Sequence, residues 1–175
     1  MKKTIIFSIL FALMSIGAIA QTNLFKGIKS GMSPNEYNSY CSSNSDFDLK
    51  ENYALTVIEN RTYILIPTYN EKNQLNSLNF YSVDEFEWMY YDPNVKEIAI
   101  ELFGLLEVKY GEPAYDVWKD WSDIPKGKFS TVCAFKKNNI TAIIAIYESK
   151  DKYSIGLTII DAKYNEETPK TSGGF

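Results

Sequence analysis

The stretch that decides the fold is Asp92-Pro93-Asn94-Val95-Lys96-Glu97-Ile98-Ala99-Ile100-Glu101-Leu102-Phe103-Gly104-Leu105-Leu106-Glu107-Val108-Lys109-Tyr110-Gly111-Glu112-Pro113. Asp92 suits an N-cap, because its carboxylate can accept from the first unpaired backbone N–H groups. Pro93 suits the first helical position, where a missing N–H loses nothing. At about 100° per residue, Val95, Ile98, Ala99, Leu102, Phe103, Leu105, Leu106 and Tyr110 fall on one broad arc. Lys96, Glu97, Glu101, Gly104 and Glu107 fall on the other. Ile100 and Val108 lie off the arc and are free to meet a loop or a partner. Lys109 sits in the last turn, where its long stem can reach water. Gly111 suits the left-handed position after a helix, and Pro113 prevents continuation. The pattern predicts a helix lying on a sheet and carries no catalytic signal.

Upstream of this helix, the chain opens with basic Met1-Lys2-Lys3, a mostly apolar run over 4–19, and Ala18-Ile19-Ala20 before Gln21. These are the three regions of a cleaved secretory signal. The apolar run is short for a membrane span, which needs roughly 20 residues. The expectation is a signal peptide at 1–20, a domain at 21–162, and a flexible tail at 163–175. Without Lys2 and Lys3, 16 basic residues face 22 acidic ones, a net charge near −6. Such a surface argues against nucleic acid and against anionic membrane as partners. Export exposes Cys41 and Cys133 to oxidation. A bridge between them would stabilise by roughly 4–5 kcal/mol in the chain-entropy model. Two buried free thiols are equally compatible with the pattern.

Between leader and helix, Ser33 and Glu36 have the spacing of a capping box, with Pro34 at the first helical position. Tyr37, Tyr40 and Cys41 then share one face of a short helix. β-branched and aromatic runs at 53–58, 61–69 and 75–83 read as strands. Pro67 marks an edge or a bulge in the second of them. After the long helix, runs at 129–135, 140–147 and 153–160 read as three more. Short connections favour antiparallel pairing. The expected fold class is therefore α+β: two tandem helix-plus-antiparallel-meander units, at 28–83 and 92–161, with helices packed on sheet.

The run Gly31-Met32-Ser33-Pro34-Asn35-Glu36-Tyr37 resembles the opening of SmpA/OmlA (BamE-like) domains, and Gly111-Glu112-Pro113 is similar to a turn that follows helices there. The tandem plan is also similar to that of the β-lactamase inhibitor protein. The resemblance implies an exported protein that acts by binding other proteins. Unlike the lipoproteins of the first family, this chain has no cysteine next to its leader.

Catalytic signals are sparse. The chain has no histidine, which removes Ser-His and Cys-His catalysis and the commonest general base. It has no Cys-x-x-Cys and no Gly-rich phosphate loop. Ser149 and Lys152 have Ser-Lys acylase spacing but read as a hairpin turn. Asn44, Asp46 and Asp48 have calcium-loop spacing but lack the glycine and the bidentate Glu that should follow. Asp84, Glu85 and Glu87 offer carboxylates that read more simply as a solvated edge. The strongest contact candidates are aromatic: Trp118, Trp121, Tyr115, Trp88 and Tyr91. Such rings are enriched at interfaces, and they fill cores equally well. The expected function is a non-catalytic, protein-binding adaptor or inhibitor of the periplasm or the secreted fraction. It needs no cofactor or metal, and its partner is another exported protein. The rival reading is a glycan- or peptide-binding module using the aromatic loop.

Overall fold

A computed structural model describes residues 21–84, 86–87, 93–116, 130–149 and 152–165. Strands β1 (Asn23–Phe25) and β2 (Ile28–Lys29) form a hairpin, followed by helix α1 (Pro34–Ser43) and strands β3 (Phe47–Leu49), β4 (Ala54–Ile58), β5 (Arg61–Tyr69), β6 (Leu75–Ser82) and β7 (Phe86–Glu87). Helix α2 (Pro93–Tyr110) is followed by β8 (Tyr115–Asp116), β9 (Ser130–Lys137), β10 (Ile140–Ser149) and β11 (Lys152–Asp161).

The expected α+β plan of two tandem units is not what forms. The described protein is mostly β, and β3 to β11 make one antiparallel nine-stranded sheet. Its continuous path is β3-β4-β5-β6-β11-β10-β9-β8, with β7 also on β11. The two meanders meet where β6 pairs with β11, with Phe80 opposite Leu157 and Leu78 opposite Ile159. Local signals pair neighbours in sequence; they do not say which free edges then join. Pairing these two edges removes both from solvent and gives the apolar residues on either side one common core. Strand β7 continues the line of β6 along β11, and the buried Ser154 hydroxyl spans the break by donating to Ser82 O (3.0 Å) and Asp84 O (3.3 Å).

One face of this sheet is the core face. Tyr63, Leu65, Leu78, Phe80, Leu157, Ile159, Ile144 and Phe135 are buried there. Helix α2 lies over β9, β10 and β11, burying Ile98, Ala99, Leu102 and Leu106. Phe103 meets Phe135 edge-on at 5.2 Å. Ile100 and Val108 remain in solvent, Val108 at 91 % exposure. Asp92 lies outside the described residues, but the other end closes as expected: Gly111 has φ +89, and its N–H donates to Glu107 O (2.8 Å). Lys109 stays exposed, and its ammonium also donates to Leu24 O (2.8 Å), tying the β1–β2 hairpin to the helix. Phe25 of that hairpin packs edge-on against Phe80 at 4.8 Å.

Helix α1 starts with the expected box. Ser33 N donates to Glu36 Oε2 (2.7 Å), and Glu36 N donates to Ser33 Oγ (3.4 Å). The Ser33 backbone N–H, more than its hydroxyl, holds the Glu36 carboxyl below its usual range. Tyr37 and Cys41 are the buried residues of this helix, which packs beside β3. Pro67 sits where β4 has ended, since the last β4–β5 pair is Ala54 with Leu65. A register shift follows at Thr68/Tyr69, so Pro67 is accommodated at a local edge next to a bulge.

Residues 163–165 belong to the fold and not to a flexible tail. Tyr164 is buried, its carbonyl accepts from Asn70 Nδ2 (3.0 Å), and Asn76 Nδ2 donates to Asn165 Oδ1 (3.3 Å). The expected leader at 1–20 lies outside the described residues.

Candidate functional site

Strand alternation sends every second side chain to the face away from the helices. On β4, β5 and β6 those residues form rows fixed by the register. Leu55 lies opposite Ile64, and Ile64 opposite Tyr81. Val57 lies opposite Thr62, whose carbonyl accepts from Val83 N (3.1 Å). Ile66 lies opposite Asn79, which lies opposite Thr158. Val57, Ile66 and Val83 are exposed at 51 %, 39 % and 48 %, while Leu55, Ile64 and Tyr81 are half-buried. None of these side chains is charged. Toward β10 and β11 the same face becomes tighter, and Ala145, Ser154 and Gly156 are buried.

A polar ladder borders the apolar rows. Asn79 Nδ2 donates to Thr68 Oγ1 (3.0 Å), and Thr158 Oγ1 donates to Asn79 Oδ1 (3.0 Å). The amide is thus held between two neighbouring strands. A surface fixed in this way can be contacted without ordering flexible side chains first, which keeps the entropic penalty of binding low. An outward strand face normally alternates to polar residues, so the exposed Val57, Ile66 and Val83 depart from that pattern.

The edge beside β4 is guarded. Strand β3 is three residues long, and Asp48 on it pairs with Lys50 at 2.8 Å. Lys26 approaches Asp46 (3.7 Å) and donates to Val57 O (3.0 Å). Short strands and edge charges of this kind block unspecific strand addition. This edge is therefore closed to strand addition, while the outer face stays open to solvent.

Of the residues singled out from sequence, Tyr115 lies on β8 at the sheet margin, opposite Ala134 and 50 % exposed. Trp88, Tyr91, Trp118 and Trp121 lie outside the described residues, as does Glu85. Asp84 is engaged by Arg61 (3.5 Å), whose guanidinium also reaches Glu97 (3.6 Å) and Glu101 (3.1 Å) on α2. This cluster ties helix to sheet. Ser149 and Lys152 pair across the β10–β11 hairpin, on strands and not on a helix. Among the described residues, no group of His, Cys, Asp and Glu side chains could hold a metal ion, and no helix is long and apolar enough to cross a membrane. No motif or turn residue marks the outer rows in the sequence. The signal was present in Tyr63-Ile64-Leu65-Ile66, where both phases of a strand are apolar and both faces are therefore apolar.

Cys41 and Cys133 are buried free thiols, so the bridge left open by the sequence is not formed. Cys41 lies by Tyr37 and Tyr69 of β5, while Cys133 is on β9, four strands further along the sheet. Four steps of about 4.8 Å far exceed the reach of a disulfide. Burial pushes the Cys133 thiol up to about 12 and the Tyr69 and Tyr110 phenols to about 12. Each of these acids holds its proton more tightly when folded. Each therefore contributes stability in full below its ordinary value, and that contribution is lost as pH rises through the folded value. For Cys133 that window runs from 9.0 to about 12. The denaturation midpoint is expected to fall across this alkaline window, and a titration series in urea checks it. At neutral pH both thiols should resist a thiol reagent until the chain is unfolded, and both should then react.

Comparison with known proteins finds no matching family model, curated protein or solved structure.

Proposed function

We propose that this is an exported, non-catalytic binding protein, and that the uncharged outer face of β4, β5 and β6 meets its partner, another exported protein with an apolar contact surface. The observation that carries this reading is the trio Val57, Ile66 and Val83, exposed on a face whose side chains on β4, β5 and β6 are uncharged. Charged residues stand at its β3 border, where Asp48 lies opposite Leu55 and Lys26 donates to Val57 O. The likeness of residues 31–37 to SmpA/OmlA domains points the same way. The carboxylate nearest the candidate acidic site, Asp84, is occupied by Arg61, which weighs against a hydrolase.

The test is capture of the tagged mature chain's partner from envelope extract, with a Val57→Asp/Ile66→Asp variant in parallel. The wild type is expected to retain one stoichiometric protein, and the variant to lose it at least tenfold, equal to about 1.4 kcal/mol. Both sites are solvent-facing, so the melting temperature should move little. Equal recovery by both chains would sink the assignment of this face.

A further inference from the structure

An open groove of about 450 Å³ runs along α1, lined by Gln21, Met32, Asn35, Glu36, Ser39, Tyr40 and Ser43. Gln21 is exposed, but the chain just after it is pinned. Thr22 N donates to Ser30 Oγ (3.1 Å), and Ser30 N donates to Thr22 O (2.9 Å). The place of Gln21 in the groove's lining therefore follows from the hairpin that fixes Thr22. Gln21 is also the residue that follows Ala18-Ile19-Ala20.

We propose that Gln21 becomes the first residue of the exported protein and cyclises to pyroglutamate, whose ring lies in this groove. The proposal rests on the reading of 1–20 as a cleaved leader. Cleavage frees the α-amine of Gln21. An α-amine titrates near 7.7–8.0, so roughly a tenth or more of it is neutral and nucleophilic at neutral pH. Its nitrogen attacks the side-chain Cδ of the same residue and a new C–N bond forms. The bond from Cδ to the side-chain nitrogen breaks, and that nitrogen leaves as ammonia with the proton the amine gave up. The attack is intramolecular and closes a five-membered ring, so no co-reactant is required.

The groove favours the product. Its acid, Glu36, already accepts at Oε2 from both the amide and the hydroxyl of Ser33, so that oxygen is committed to the cap of α1. A lactam carries no charge to desolvate. It can rest on Met32 and on the ring of Tyr40, whose own hydroxyl is turned away to donate to Lys26 O (2.7 Å). Ser39 and Ser43 border the groove. The Ser43 hydroxyl donates to Tyr40 O (3.1 Å) and keeps a lone pair for the lactam N–H, leaving Ser39 to donate to its carbonyl. The result is an N-terminus closed to aminopeptidases and seated on α1.

The test is intact mass spectrometry of the full chain expressed in an exporting bacterial host and recovered from the envelope fraction. The expected mass is that of residues 21–175 less one ammonia. The Gln21→Ala variant should show its full mass and be open to an aminopeptidase that leaves the wild type untouched. A wild-type mass of 21–175 with the ammonia retained would overturn the cyclisation and leave the leader reading standing. An uncleaved chain, or one that begins elsewhere, would overturn both. Pyroglutamyl aminopeptidase should release the ring at least tenfold more slowly from the folded protein than from a synthetic peptide with the same first residues. Equal rates would overturn its seating in the groove.

Discussion

Replacing Phe80 with Ala is expected to destabilise the protein by about 3–5 kcal/mol, the usual result of emptying a buried aromatic site. Phe80 is fully buried, lies opposite Leu65 on one side and Leu157 on the other, and meets Phe25 edge-on at 4.8 Å. It therefore touches both meanders and the hairpin above them. For a chain of this size each kcal/mol shifts the melting temperature by about 2–4 °C. The expected loss is thus roughly 6–20 °C, measured by thermal unfolding. The form of the transition matters as much as its midpoint. If one sheet runs unbroken through β6 and β11, the variant should still unfold in a single step, with far-UV circular dichroism and aromatic fluorescence coincident. Two separable units would instead come apart at this seam, and two transitions would contradict a single cooperative sheet.

That seam is also where the sequence falls silent. The six long strands and both helices could be placed to within a few residues, because β-branched runs, the Ser33–Glu36 box and the Gly111 stop are local signals. Strands β1, β2, β3, β7 and β8 could not, since two or three residues hold too little period to read. The joining of β6 to β11 is further from local reading still. It depends on Leu78 and Phe80 finding Ile159 and Leu157 across a little under half of the chain, and no turn residue encodes that. The same limit applies to the candidate site. Ile64 and Ile66 look like core residues in a strand of unknown depth, and only the position of β5 in the sheet shows that they face away from the helices. Tyr115, chosen for its ring, proves to sit at the far margin of the sheet from those rows.

Gly31→Ala is expected to destabilise by about 2–5 kcal/mol, although it adds a single methyl group. Gly31 has φ +80, in the left-handed region where a Cβ costs about 1–2 kcal/mol. A Cβ built there would lie 2.7 Å from Tyr164 Oη and 2.8 Å from two of its ring carbons. Forcing extra volume into a packed site typically adds about 1–3 kcal/mol. The glycine has little freedom to move away. Its N–H donates to Leu75 O (2.8 Å), and Leu75 N donates to Met32 O (2.8 Å), so any shift would disturb the start of β6. The Tyr164 main chain is held in turn by Asn70, whose Nδ2 donates to its carbonyl, so only the ring itself could give way. The backbone and the clash can be separated by a double-mutant cycle read in denaturant midpoints. On a Tyr164→Ala background, where the ring is absent, Gly31→Ala should cost only its backbone share. The difference between the two backgrounds should be at least about 1 kcal/mol, in the range seen for residues in contact. Strict additivity would mean that the ring and the glycine do not meet, and that the C-terminal turn is not packed against the loop that starts α1.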